Sequence, residues 1–180
     1  SGTVTELERK IAGQDLRLSG TLRITATDTL MGSILPEILA EFGEAHPGIA
    51  LEVAVSNLML NLTKRDADIA LRTADNPPAT LVGRRVGKIA FAIYAAPAYL
   101  ARHDHADLAE HRWVGPDDTL AGTSVARWMQ AKLGKSEIVL RADSLLAMQQ
   151  AAVAGLGLVA LPCYLGDSLP ALACVRRPLP

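Results

Sequence analysis

Apolar residues along this chain recur with two different periods, and each switch of period marks an element. Val4, Leu7 and Ile11 share one helical face, which predicts a helix over 3–12 that Gly13 stops. So short an amphipathic stub calls for a partner helix. Thr21-Leu22-Arg23-Ile24-Thr25 has strand character, and Thr27, Asp28 and Thr29 after it are residue types that open helices. Ile34, Leu35, Ile38, Leu39 and Phe42 return to helical spacing until His46-Pro47-Gly48 ends it. Ile49, Leu51, Val53 and Val55 alternate as a strand, and Ser56-Asn57 follows as a turn or cap. A short helix over 58–64 and a strand over 68–72 complete the series. Strand–helix–strand–helix–strand predicts a parallel sheet with helices on its faces.

The loop 73–80, with Asp75-Asn76-Pro77-Pro78, breaks the alternation. Two strand-like runs are expected next, over 81–86 and 89–95, joined at Gly87-Lys88. A second α/β series then reads as helix 97–102, strand 113–114, helix 124–133, strand 137–141, helix 144–154 and strand 157–161. A short strand over 172–175 closes the chain. The pattern therefore predicts two α/β units of similar size flanking a long strand around 89–96.

Composition narrows the class. The 180 residues are 49% hydrophobic with a formal net charge of -1, which supports a folded core and excludes disorder. The same near-neutrality argues against this segment gripping nucleic acid or an anionic membrane by itself. With 29 Ala, 27 Leu and only 7 aromatics, the core is built from small aliphatics suited to close helix–sheet packing. Residues 144–166 carry no charge, but Gln149, Gln150, Gly155, Gly157 and Pro162 split them into a buried helix and a buried strand instead of a membrane span. No signal peptide is read at the start of the chain, and the cysteine usage leans toward a reducing compartment.

Several motifs together resemble one family. Leu35-Pro36-Glu37-Ile38-Leu39-Ala40-Glu41-Phe42 with Pro47-Gly48-Ile49 follows L-P-x-x-L-x-x-F-x-x-x-x-P-x-I, which resembles the effector-binding domain of LysR-type transcriptional regulators. Leu7-Glu8-Arg9, Ala12-Gly13 and Ser19-Gly20-Thr21-Leu22-Arg23-Ile24 are similar to that family's linker-helix end and first strand. Asp68-Ile69-Ala70-Leu71-Arg72, Ala96-Pro97-Ala98-Tyr99-Leu100 and Ala154-Gly155-Leu156-Gly157-Leu158 with Leu161-Pro162 resemble its later signatures. Asn57, Asn61 and Asp66 depart from the family's frequent residues, which bears on ligand class and not on fold.

The resemblance implies an α/β protein of two Rossmann-like subdomains with a hinge, periplasmic-binding-protein-like (type 2). The expected organisation is 1–19 as linker-helix end, 20–88 plus 169–180 as subdomain I, and 89–168 as subdomain II. It further implies a small-molecule effector in the cleft between the subdomains and no membrane. DNA is expected to be bound through a helix-turn-helix domain absent from this chain. The sensor domains are expected to form a homodimer, within a homotetramer at full length, in the bacterial cytoplasm. A free-standing solute-binding protein of the same fold is the nearest alternative, and a small α/β enzyme a more distant one.

In open α/β sheets, ligands sit beyond the carboxyl ends of strands. That rule selects Thr27, Asp28 and Thr29 after the first strand, Ser56 and Asn57 after the second and Thr73 after the third. In the second unit it selects Thr123 and Ser144. Each also has a plain structural role, with Asp28 or Thr29 expected to cap the first helix. Asp28 would repel an anion, which points to a neutral, zwitterionic or protonated ligand. Arg72 could pair a ligand carboxylate or make a structural ion pair. No catalytic residues, cofactor or metal are expected. The nucleophile-elbow, phosphate-loop and H-E-x-x-H patterns are absent, and His103, His105 and His111 lie in a polar loop without an ordered ligand set. Cys163 and Cys174, 11 residues apart in an apolar setting, read as inert thiols.

Overall fold

The computed structural model describes residues 18–57, 67–73, 82–104, 107–134 and 136–177. The expected helices over 3–12 and 58–64 lie outside these residues. The chain divides into two compact units, Ser1–Asp75 and Asn76–Pro180.

The first unit holds β1 (Gly20–Ala26), α1 (Asp28–Met31), α2 (Leu35–Ala45), β2 (Ile49–Val55) and β3 (Ile69–Leu71). Its sheet is parallel, in the order β2-β1-β3, with Ala26 opposite Val55 and Leu71. The predicted strand–helix–strand order is therefore present, and all three strands end at one edge. Alternation governs β2, where Ile49, Leu51 and Val53 are half-buried while Ala50, Glu52 and Ala54 are exposed. Helix α2 opens with Pro36 in its first turn, where a missing N–H costs nothing, and stops at His46 before Pro47.

The second unit carries β4 (Phe91–Ala95), α3 (Pro97–Leu100), β5 (Trp113–Pro116), α4 (Ser124–Lys132), β6 (Ile138–Ala142), α5 (Leu145–Val153), β7 (Leu158–Pro162), α6 (Cys163–Gly166) and β8 (Ala173–Arg176). Its sheet order is β6-β5-β7-β4-β8. Strands β5, β6 and β7 are parallel, whereas β4 runs antiparallel to both β7 and β8. Two-residue alternation sends Ile93, Ala95, Trp113, Leu158 and Ala160 to one face, packed with Val125 and Met129 of α4. Tyr94, Val114, Val159 and Leu161 go to the other, packed with Met148 and Ala152 of α5. All five residues of β7 are buried, as its continuous apolar run predicts for a strand with neighbours on both sides. Gly157 is required just before it, because a Cβ there would overlap the Arg112 carbonyl that accepts the Leu158 N–H.

One expectation needs revision. No strand forms over 82–86: Val82 and Val86 are exposed and the segment pairs with no other strand, so its apolar residues have no sheet face to fill. The closing strand forms as expected and pairs with β4 in the second unit's sheet. No helix among the described residues is long and apolar enough to cross a membrane.

Candidate functional site

In the first unit the strand ends gather the expected polar residues at one edge. Thr27 is the helix cap, its hydroxyl accepting the Leu30 N–H at 3.4 Å, while Asp28 accepts the Thr29 N–H at 2.7 Å. The cap is therefore Thr27 and not Thr29, because Thr27 is the last residue with extended backbone before the helix turns. Thr29 is buried, 3.1 Å from Thr27 between hydroxyl oxygens. The Asn57 side-chain oxygen accepts the Asp28 N–H at 3.1 Å, and Ser56 N–H donates to the Ala26 carbonyl at 2.9 Å. These bonds bring Asp28, Ser56 and Asn57 together across the ends of β1 and β2. Thr73 is exposed beyond β3.

Arg72, at the end of β3, spans the sheet. Its Nη1 donates to the Ser56 carbonyl at 2.9 Å and its Nη2 to Thr25 Oγ1 at 2.7 Å. Burial lowers its pKa from the ordinary arginine value. The structural ion pair that was one expectation for this residue is not formed with any described carboxylate; the described pairs are Arg23–Glu52, Arg112–Glu137 and Arg177–Asp167.

The second unit repeats the strand-end arrangement with helix caps. Thr123 Oγ1 accepts the Ala126 N–H at 3.2 Å and donates to the Leu120 carbonyl at 2.8 Å, fixing the start of α4. Ser144 Oγ accepts the Ala147 N–H at 3.3 Å at the start of α5. Asp117 N–H donates to the Ala142 carbonyl at 3.0 Å, so the ends of β5 and β6 stay level.

Two of the described histidines, His103 and His111, pack on Tyr99. His103 stacks on Tyr99 with ring centres 4.3 Å apart, and buried His111 lies 3.4 Å from the Tyr99 hydroxyl through Nδ1. His105 lies outside the described residues, among which no cluster of three metal-ligating side chains forms. Both cysteines are free. The apolar setting expected for them fails at Cys174, which is exposed beside the Arg177 guanidinium because β8 is an edge strand. Cys163 packs on the apolar cluster and neighbours the Tyr94 hydroxyl. Sequence reasoning missed the Tyr94–Asp167–Arg177 group. Tyr94 donates to Asp167 at 2.8 Å and accepts from Arg177 at 3.3 Å, and no local spacing announces contacts across 73 and 83 residues.

Comparison with known proteins places this geometry. A family model described as the LysR substrate binding domain matches residues 16–180. The chain is 29% identical over 167 residues to the HTH-type transcriptional regulator YhjC of Escherichia coli K12, covering 88% of this chain and 56% of that protein. It is 31% identical over 100 residues to the HTH-type transcriptional regulator CrgA of Neisseria meningitidis, covering 53% of this chain and 33% of that protein. The chain thus spans about half, or less, of the length of these curated relatives. Among solved structures it is similar to the CrgA regulatory domain, with a TM-score of 0.74 and 26% identity over 87% of this chain and 81% of that one. The effector domain of AmpR from Pseudomonas aeruginosa shares the fold at a TM-score of 0.70 and 21% identity, over 89% of this chain and 80% of that one. The α/β architecture is accordingly that of the periplasmic-binding-protein-like (type 2) class, and the chain belongs to the LysR substrate-binding domain family of transcriptional regulators.

Proposed function

We propose that this domain senses a small-molecule effector for a DNA-binding regulator and performs no catalysis. The observation that carries the reading is the strand-end layer. Thr27, Asp28, Thr29, Ser56, Asn57 and Thr73 follow the carboxyl ends of three parallel strands, with Asp28 bonded to Asn57. Thr123 and Ser144 hold the equivalent positions in the second unit. Hydroxyls and amides placed on rigid strand ends select a ligand by hydrogen bonding, and binding that favours one arrangement of the chain biases the whole protein. The organisation into subdomains 20–88 plus 169–180 and 89–168 belongs to the same proposal. The full-length protein, on this reading, binds DNA through a helix-turn-helix domain and works in the cytoplasm, as its relatives' designation as HTH-type regulators supports.

The same reading includes self-association. Ile34 and Ile38, one helical turn apart, are 42% and 54% exposed at and just after the start of α2, while Leu35 beside them is buried. A twofold pairing of copies through α2 and α5 would cover that apolar surface and supply the homodimer from which a homotetramer is built.

A thermal-shift screen of small organic acids, amino acids and neutral metabolites tests the effector site. A ligand at 100 times its Kd adds about 2.7 kcal/mol of stability. Thr29→Val and Asn57→Ala are expected to weaken a stabilising ligand by about 1–3 kcal/mol through lost polar partners. Unchanged binding in both variants rejects the strand-end layer as the site.

A further inference from the structure

We infer that Arg72 is the charge-selecting residue of the first unit, seating the carboxylate of a small organic monoacid. This deepens the effector-sensing reading and rests on it. Arg72 follows β3 with its side chain on the same face as Ala70, whose register partner is Thr25. From there the guanidinium crosses β1 and reaches the end of β2, held by the Thr25 hydroxyl at 2.7 Å and the Ser56 carbonyl at 2.9 Å. Both partners are neutral.

A guanidinium offers five N–H donors in a planar fork and stays charged in any protein setting. Two of the five are used here, and they orient the plane without compensating its charge. The residue is half-buried, and no carboxylate among the described residues pairs with it. Burial is also what lowers its pKa. A partly desolvated cation on neutral partners is electrostatically incomplete, and a carboxylate edge matches the remaining donors in geometry and charge.

The neighbouring charges set the ligand's valence. Arg23, on the same face of β1, is already paired with Glu52 at 3.1 Å. Asp28 stands at the same strand-end edge, with one carboxylate oxygen held by the Thr29 N–H. Among the described residues, one cation without a carboxylate partner shares this strand-end edge with one carboxylate, which suits a ligand with a single negative charge, and a dianion such as a phosphate ester is disfavoured. The sequence-based preference for a neutral, zwitterionic or protonated ligand weighed Asp28 alone.

The test uses acetate as a minimal carboxylate, acetamide as its uncharged isostere, and inorganic phosphate, all at matched ionic strength. Arginine Nε–Hε resonances of the 15N-labelled chain are followed, with the Arg72 signal identified by its loss in Arg72→Lys. Acetate is expected to move the Arg72 resonance saturably, acetamide to leave it still, and phosphate to act at least about tenfold more weakly than acetate. Arg72→Lys, which keeps the charge but loses the fork, is expected to reduce acetate-dependent thermal stabilisation by about tenfold in apparent affinity. The wild-type comparison needs no variant to fold. Equal responses to acetate and acetamide, or an Arg72 response no larger than that of exposed Arg84 and Arg102, overturn the assignment. If Thr29→Val and Asn57→Ala weaken an effector while Arg72 ignores acetate, the effector site stands and the charge assignment falls. If acetate seats on Arg72 while those variants leave every ligand unaffected, the strand-end reading fails instead.

Discussion

Gly166 lies so close to the ring of Tyr94 that a Cβ on it would overlap Cζ, Cε1 and Cε2. Tyr94 is 1% exposed in the middle of β4, between β7 and β8, so its ring cannot swing away. Gly166→Ala therefore places a methyl group where packed atoms already stand. The expected cost is about 1–3 kcal/mol, the usual range for overpacking. Urea unfolding followed by circular dichroism checks it, and an unchanged midpoint means that α6 is free to move off Tyr94.

The Tyr94 hydroxyl gives a pH prediction. Its pKa is raised well above the ordinary tyrosine value, first by burial, then by its hydrogen bond to Asp167 and the nearby Cys163. A raised pKa in the folded state means that the folded chain holds this proton more tightly than the unfolded chain. The associated stability is complete below the unfolded value near pH 10 and is lost as pH climbs toward the folded value. Stability of the wild type should fall above about pH 10, and Tyr94→Phe should flatten that fall. Absorbance titration at 295 nm is the check. Of the three tyrosines, Tyr94 should ionise only as the chain unfolds.

The two helix caps of the second unit separate structure from ligand contact. Thr123 makes two bonds at the start of α4, and Ser144 makes one at the start of α5. Thr123→Ala should cost about 1–2 kcal/mol and Ser144→Ala about 0.5–1 kcal/mol in the ligand-free protein. Denaturant titration without ligand measures both. Full stability in both variants would leave ligand contact as the only role of these hydroxyls.

Self-association should depend on the apolar edge of α2. Ile38 is 54% exposed, so Ile38→Lys costs the monomer little while placing a charge in the proposed interface. Sedimentation across micromolar concentrations should show a wild-type dimer and at least about a tenfold weaker one for the variant. A wild type that stays monomeric throughout removes the dimer and leaves the effector site untouched.

Local pattern alone determined which residues form most of the elements and which face each strand buries. Ile49, Leu51 and Val53 alternate, and the run ending at Pro162 is apolar throughout, because a strand's period and its burial on one or both faces act residue by residue. The caps Thr123 and Ser144 were equally legible, since a cap acts three residues away. Partners distant in sequence were decided only by the folded chain. The strand-like run over 82–86 made no strand because no neighbour came alongside, while β8 found β4 and ran antiparallel to it. Arg72 shows the same division. Its place after β3 follows from the chain, but whether Glu, Asp or a neutral oxygen would meet it depended on three strands ending at one edge. There the fold set Thr25 and Ser56 under the guanidinium and left its charge unpaired among the described residues.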